Sequence, residues 1–286
     1  MEMPDVHRSQ VLLMGQSAKG CQMNINIVLN EYSEHLANTI SKRRSLLAVK
    51  HLRKLGKHGI REVSAHVQDY ISKRGVAAGT INRELGVLQS ALRYAFKRGN
   101  IDFLPILQKL PSPPPRSQFF TEEDVIILLS QTQKNPELDK FTRIALMTGQ
   151  RKDAILKLRW DQIDFKANII DFNDHTAPLA HRMKGRGIVP MSSALRAFLK
   201  GLGGGSGRVL KVKCIDEQWK TAMRRTKFKA TPHVLRHTVA TQLAQKSVPM
   251  AQIARILGHR NTQITERVYA KYSPDFCREA VEHLSV

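Results

Sequence analysis

Acidic residues are scarce in this chain: 24 Asp and Glu stand against 46 Lys and Arg, a formal charge of +22 over 286 residues. That excess is more than solubility requires and makes a polyanion the expected partner. The few carboxylates do not gather around the histidines and arginines, so neither a metal nor an organic cofactor is expected. Cysteine is limited to Cys21, Cys214 and Cys277, widely spaced and without a C-x-x-C pair. This argues against a disulfide framework or a zinc site and points to a reducing compartment. Long apolar runs are also missing. Val11 to Met14 is too short for a signal segment, and no run approaches the ~20 residues that span a bilayer. The expectation is a cytoplasmic, nucleoid-associated protein with no membrane partner.

Residues 1–22 show no clear period and read as a mobile tail. Residues 23–110 read as an all-α domain. One amphipathic helix spans Ile27 to Ala37, and Ser41 can cap a second that runs to about Leu55, ahead of Gly56. Arg43, Lys50 and Lys54 fall on one face of that second helix, with Ala48, Leu52 and Leu55 roughly opposite. Between Ser41 and Arg61 there are eight Lys and Arg and no acid, so this face reads as phosphate-facing rather than merely solvated. Thr80 opens a longer helix that Gly99 ends. Ile81, Leu85, Leu88, Leu92 and Phe96 make its core stripe, and Asn82, Arg83, Arg93, Lys97 and Arg98 decorate the other faces. Arg43, Lys50, Lys54, Asn82 and Arg83 are the candidate DNA contacts of this half.

Proline marks the boundary. Residues 111–118 contain Pro111, Pro113, Pro114 and Pro115, which favour an extended tether. Residues 119–286 then read as a second domain, mainly α with a small β-sheet or hairpin. Thr121 can cap its first helix, with acids in the first turn. Helices are expected at about 137–147, 151–159, 192–200, 216–226, 233–246, 249–257 and 262–272, and short strands at Ile169–Phe172 and Gly187–Pro190. The glycines from Gly201 to Gly207 follow no strand and precede no Lys-Ser/Thr pair, so they read as a surface connection rather than a phosphate cradle.

The chemistry lies in an ordered set. Arg151 follows Thr148-Gly149-Gln150; His233 precedes Arg236 by three residues; His259 follows Leu257-Gly258; Tyr269 stands in Thr-Glu-Arg-Val-Tyr. Any one of these alone reads best as an ordinary core or surface residue. In this order they are the groups that a hydroxyl needs to attack a DNA phosphodiester. Two guanidinium forks can bind the non-bridging oxygens bidentately and never lose their protons, so they can stand in for a metal. Arg236 and His233 share a helix face, Arg151 sits near a helix start where amides favour an anion, and His259 can donate to the same phosphate. Tyr269 is the candidate nucleophile, its phenol activated by cationic neighbours; Tyr272, one turn on, is its competitor. Lys184 is the candidate general acid for the departing 5′-oxygen, flanked by Arg182 and Arg186 as phosphate contacts.

These residues resemble the tyrosine recombinases, the phage integrase family. The likeness rests on Gly149-Gln-Arg151 with Leu158 to Asp161, Met183 to Pro190, His233 to Thr241, Leu257-Gly-His259 and Thr265 to Tyr269, and more weakly on Asn82 to Leu85. It covers about residues 24–280. It implies a two-domain clamp around double-stranded DNA, an all-α core-binding domain opposite the α+β catalytic domain. Tyr269 would attack the scissile phosphate to give a 3′-phosphotyrosine and a free 5′-hydroxyl. Arg151, Arg236, His233 and His259 would hold the transition state and Lys184 would protonate the leaving oxygen, without metal or ATP. It also implies a homotetramer on two duplexes at synapsis, with accessory DNA-bending proteins as a further partner class. No room is expected at the N-terminus for a well-formed extra arm-binding domain. One departure concerns Arg151: the family usually carries an acid three residues later, where this chain has Ala154, with Asp153 one position early. Two other readings stay open, a strand-passing topoisomerase with the same chemistry and a catalytically silent DNA-binding relative.

Overall fold

The computed structural model describes residues 23–36, 42–56, 58–111, 118–173, 187–259, 261–273 and 281. The chain divides into two compact units, Met1–Pro114 and Pro115–Val286. No helix of the described residues is long and apolar enough to cross a membrane.

Among the described residues the first unit carries the helices α1 Ile25–Leu36, α2 Lys42–Leu52, α3 Val63–Arg74 and α4 Ala78–Lys97, single 3-10 turns at Arg53–Leu55 and Ile60–Glu62, and an isolated antiparallel bridge between Asn24 and Gly59. Amphipathic spacing drives the packing. Ala48, Leu52 and Leu55 are buried, and so are Ile81, Leu85, Leu88 and Leu92 of α4. Phe96 departs from the expected stripe and is exposed, while Ala95 is fully buried. Glu84 and Ala91 are buried too, and at about 100° per residue they draw the centre of the buried arc toward position 95 and away from 96. α4 also begins two residues earlier than Thr80, and α3 is a helix that no sequence signal singled out. A buried polar contact joins these two helices. Glu84 accepts from the Tyr70 hydroxyl at 2.6 Å and from Arg74 at 2.8 and 3.0 Å.

The second unit runs α5 Glu122–Thr132, α6 Pro136–Thr148, α7 Lys152–Leu156, β1 Ile163–Asp164, β2 Ile169–Asp171, β3 Ile188–Pro190, α8 Ser193–Gly201, α9 Asp216–Thr226, α10 His233–Gln245, α11 Met250–Leu257 and α12 Gln263–Tyr269. Its caps follow the side chains available. Thr121 and Asp124 form a reciprocal capping box on α5, and Asn135 with Pro136 starts α6. α7 is shorter than the helix expected at 151–159, because the chain turns at Lys157 so that Arg159 can bridge to Arg208. The strands form an antiparallel sheet of order β1-β2-β3 that pairs Ile163 with Ile170 and Ile170 with Val189. All three side chains are buried, so one face of this small sheet closes the core.

α10 is the central helix. Val234, Leu235, Arg236, Thr238, Val239, Ala240, Thr241 and Ala244 are all buried, the pattern of a helix enclosed nearly all round. It packs against α6, α11 and the 3-10 turn that follows α12. Its first turn therefore opens where the ends of the neighbouring elements converge.

Candidate active site

The site grows from two helix ends. α6 stops at Gly149, whose φ of 64° favours glycine. A side chain here would also collide, since an added Cβ would lie 2.8 Å from Leu257 Cδ2 and 3.1 Å from Val239 Cγ1. The turn is thus pressed onto α10 and α11. Gln150 fastens it further, donating from Nε2 to the Ile256 carbonyl at 2.6 Å. Arg151 follows as the N-cap residue of α7. The second end is Gly258, which caps α11 with φ 65° while the His259 amide bonds back to the Ala254 carbonyl at 2.9 Å.

Arg236 fastens the first of these ends to α10. It is 3% exposed, and its Nη1 donates to the Gly149 carbonyl at 3.1 Å. Its Nη2 is buried and has no hydrogen-bond partner among the described residues. A buried charged donor left unpaired is costly unless an acceptor, above all an anionic oxygen, meets it. Burial and the nearby Arg151 charge push this guanidinium down to about 9, so it stays cationic at neutral pH.

The imidazoles take the opposite charge state. Burial, with Arg236, Arg151 and two other histidines nearby, pushes His259 down to about 4. Its Nδ1 lies 2.8 Å from the hydroxyl of the fully buried Thr265. His233 heads α10 and remains exposed, yet partial enclosure together with His237, Arg236 and Arg151 pushes it to about 4 as well. Tyr269 ends α12, is 4% exposed, and has its phenol raised to about 12 by burial, against the lowering field of Arg236. The structure thus sets His233, His259 and Tyr269 in the field of Arg236, and His233, Arg236 and His259 in that of Arg151. It offers two fixed cations, neutral imidazole donors and one phenol.

Sequence reasoning missed His237. Its Nδ1 lies 2.7 Å from the Tyr269 hydroxyl, and its ring meets His233 edge-on with centroids 4.8 Å apart. The signal was the i, i+4 spacing from His233, which puts both rings on one face of α10. Tyr272, the competing tyrosine, packs its ring edge against Phe119 and lies under the Lys271 ammonium. Ala154 is buried in the core while Asp153 is exposed, so the departure after Arg151 is an apolar packing position.

Lys184, Arg182 and Arg186 lie outside the described residues, as do the proposed tail at 1–22 and residues 112–117 of the linker. In the other unit Arg43, Lys50, Lys54 and Arg83 are exposed. Asn82 differs from them: its amide bonds the Leu110 backbone in both directions at 2.8 Å and anchors the chain as it leaves the helices. The metal-ligand types that converge among the described residues are His58, Glu62 and His66 of that same unit, within 4.8 Å of one another.

Residues 118–275 match the phage integrase family model. The chain belongs to that family. It is accordingly a tyrosine-type site-specific DNA recombinase. Among its relatives, tyrosine recombinase XerC of Xanthomonas axonopodis pv. citri is 24% identical over 226 residues, covering 71% of this chain and 72% of that protein. Tyrosine recombinase XerA of Thermococcus kodakarensis is 27% identical over 224 residues, covering 71% and 76%. The Tn1549 transposon integrase, solved with a circular intermediate DNA, superposes with a TM-score of 0.73 at 19% identity, over 92% of this chain and all of that one. A lambda integrase tetramer bound to a Holliday junction gives 0.68 at 16%, over 89% and 78%. Both share the fold.

Proposed function

We propose that this integrase-family protein cuts and rejoins DNA by passing the scissile phosphate onto Tyr269. The observation that carries the reading is the buried Arg236 in the field of Tyr269, its Nη1 held by the Gly149 carbonyl and its Nη2 unpaired among the described residues. That geometry suits a phosphate oxygen, with Arg151 as the second cation. Tyr269 Oη attacks phosphorus, the 5′-oxygen departs, and a 3′-phosphotyrosine conserves the bond energy. His233 and His259, both neutral, donate to the phosphoryl oxygens as charge builds there. Lys184 gives the leaving oxygen its proton. Reversal by a 5′-hydroxyl from another duplex completes an exchange that needs neither metal nor ATP.

Arg43, Lys50, Lys54 and Arg83 contact phosphates from the helical unit, with Arg182 and Arg186 near the catalytic lysine. Four protomers on two duplexes pass through a Holliday junction, a reading supported by the tetrameric arrangement in which lambda integrase was solved. Covalent capture tests the proposal. The protein is incubated in EDTA with fragmented DNA of the replicon that encodes it, then denatured, and DNA retained on protein is sequenced. Wild type yields a tyrosine-linked adduct at a defined site, and Tyr269→Phe yields none. Binding without any adduct would mean a silent DNA-binding protein. An adduct that survives in Tyr269→Phe would move the nucleophile to Tyr272. Relaxation without exchange between duplexes would mean a topoisomerase.

A further inference from the structure

We propose that His237 is the general base of this reaction, receiving the Tyr269 proton on Nδ1 as the phenolic oxygen attacks phosphorus. The inference rests on the reading of Tyr269 as nucleophile and assigns the one proton which that reading leaves without a destination. A phenol raised to about 12 by its burial does not ionise unaided at neutral pH. Arg236 and Arg151 stabilise negative charge, but a guanidinium that keeps its protons accepts none.

His237 has the geometry. Nδ1 stands 2.7 Å from the hydroxyl oxygen, within the reach required for direct transfer. The ring is carried by the buried helix α10 between Arg236 and Thr238 and stands edge-to-face with His233. It is also in the right protonation state. Burial and the Arg236 charge lower its affinity for protons, and in the neutral tautomer protonated on Nε2 the Nδ1 lone pair faces the Tyr269 hydroxyl. Among the described residues, the charged or titratable groups around it are Arg236 and His233 on its own helix, His259 after α11 and Tyr269 at the end of α12. None is an acid that would hold the imidazole protonated in advance.

The step balances. The Oη–P bond forms as the P–O5′ bond breaks; the phenolic proton moves to Nδ1 and leaves an imidazolium; the 5′-oxygen takes its proton from the general acid. On rejoining, the 5′-hydroxyl returns its proton to the conjugate base of the general acid as it attacks, the Oη–P bond breaks and the imidazolium gives its proton to the departing phenolate. One side chain therefore serves both directions.

The test separates proton acceptance from mere positioning. Wild type, His237→Ala and His237→Asn react in single turnovers with a duplex of the captured site. A second duplex carries a 5′-bridging phosphorothiolate, whose thiolate leaves without a proton. The amide of His237→Asn keeps an acceptor near the Nδ1 position but cannot take up a proton, and it carries the test if the alanine variant fails to fold. Adduct formation is expected to slow by about 100-fold in both variants and on both substrates, the lower end for general base catalysis, with added imidazole restoring part of the rate to His237→Ala. Rates within about threefold of wild type, or full activity of His237→Asn, would overturn the proposal. So would a defect that vanishes on the phosphorothiolate, because that marks the acid. Failure of wild type to form any adduct would instead sink the underlying reading of Tyr269.

Discussion

The Thr265 hydroxyl settles which nitrogen of His259 faces the reaction. With Nδ1 tied at 2.8 Å to a fully buried partner, Nε2 is the nitrogen presented to the site. Thr265→Val keeps the shape and removes that tie. A hydrogen bond of this kind contributes about 1 kcal/mol, so adduct formation should slow roughly five- to tenfold with little change in melting temperature. Single-turnover capture checks this, and in a His259→Ala background the added loss should disappear because the two residues act as a unit. An unchanged rate would mean that packing alone orients the ring. Much of this site was legible in the sequence, because Arg151, His233, Arg236, His259 and Tyr269 sit in local patterns that each declare a helix face or end. His237 and Thr265 were not. The i, i+4 spacing from His233 could place His237 on the site face, but its contact with Tyr269, 32 residues away, and that of Thr265 with His259, 6 residues away, are made only by folding.

At the scale of elements, polar burial does what apolar periodicity cannot. The half reads as helical in sequence, but the bounds of α3 were not legible because its buried Val63, Val67 and Tyr70 make a thin stripe. Its attachment to α4 depends on Glu84, whose carboxylate is shared by Tyr70 and Arg74. Burial alone would raise the Glu84 carboxyl, but the hydrogen bonds from Arg74 and Tyr70 and the Arg74 charge hold it below the usual carboxylate range. The folded value is the depressed one. The contact therefore stabilises fully at neutral pH and fades as pH falls through that value. Glu84→Gln should cost about 2 kcal/mol at pH 7, the weight of hydrogen bonds to a charged group. Hydrogen exchange along α3 and α4 reads the loss locally. The gap between wild type and variant should narrow steadily on acidification; a gap independent of pH would show that the carboxylate's charge is not what joins the helices. Phe96 teaches the converse lesson. Four-three spacing identified the stripe of α4 but could not distinguish Ala95 from Phe96 at its end, where drift and the limits of the bundle decide.

At the scale of the whole molecule, the +22 charge is the property that reaches furthest. It was legible at once, whereas the placement of its members was not: Asn82 looked like a contact and is tied to Leu110, while Arg43, Lys50, Lys54 and Arg83 remain exposed. If these and the guanidinium groups of the catalytic unit meet the backbone of a duplex, at least about six phosphates are neutralised and as many counterions released. The logarithm of the binding constant should then fall linearly with the logarithm of salt concentration. The expected loss in affinity is on the order of a thousandfold between 50 and 200 mM. Fluorescence anisotropy with Tyr269→Phe, which cannot trap the DNA, measures this without interference from chemistry. Lys50→Ala and Arg83→Ala should each weaken binding to any sequence alike and lower the salt slope by about one. A slope that survives both substitutions would put the phosphate contacts elsewhere on the molecule. A loss confined to one DNA sequence would make these residues readers of bases rather than of charge.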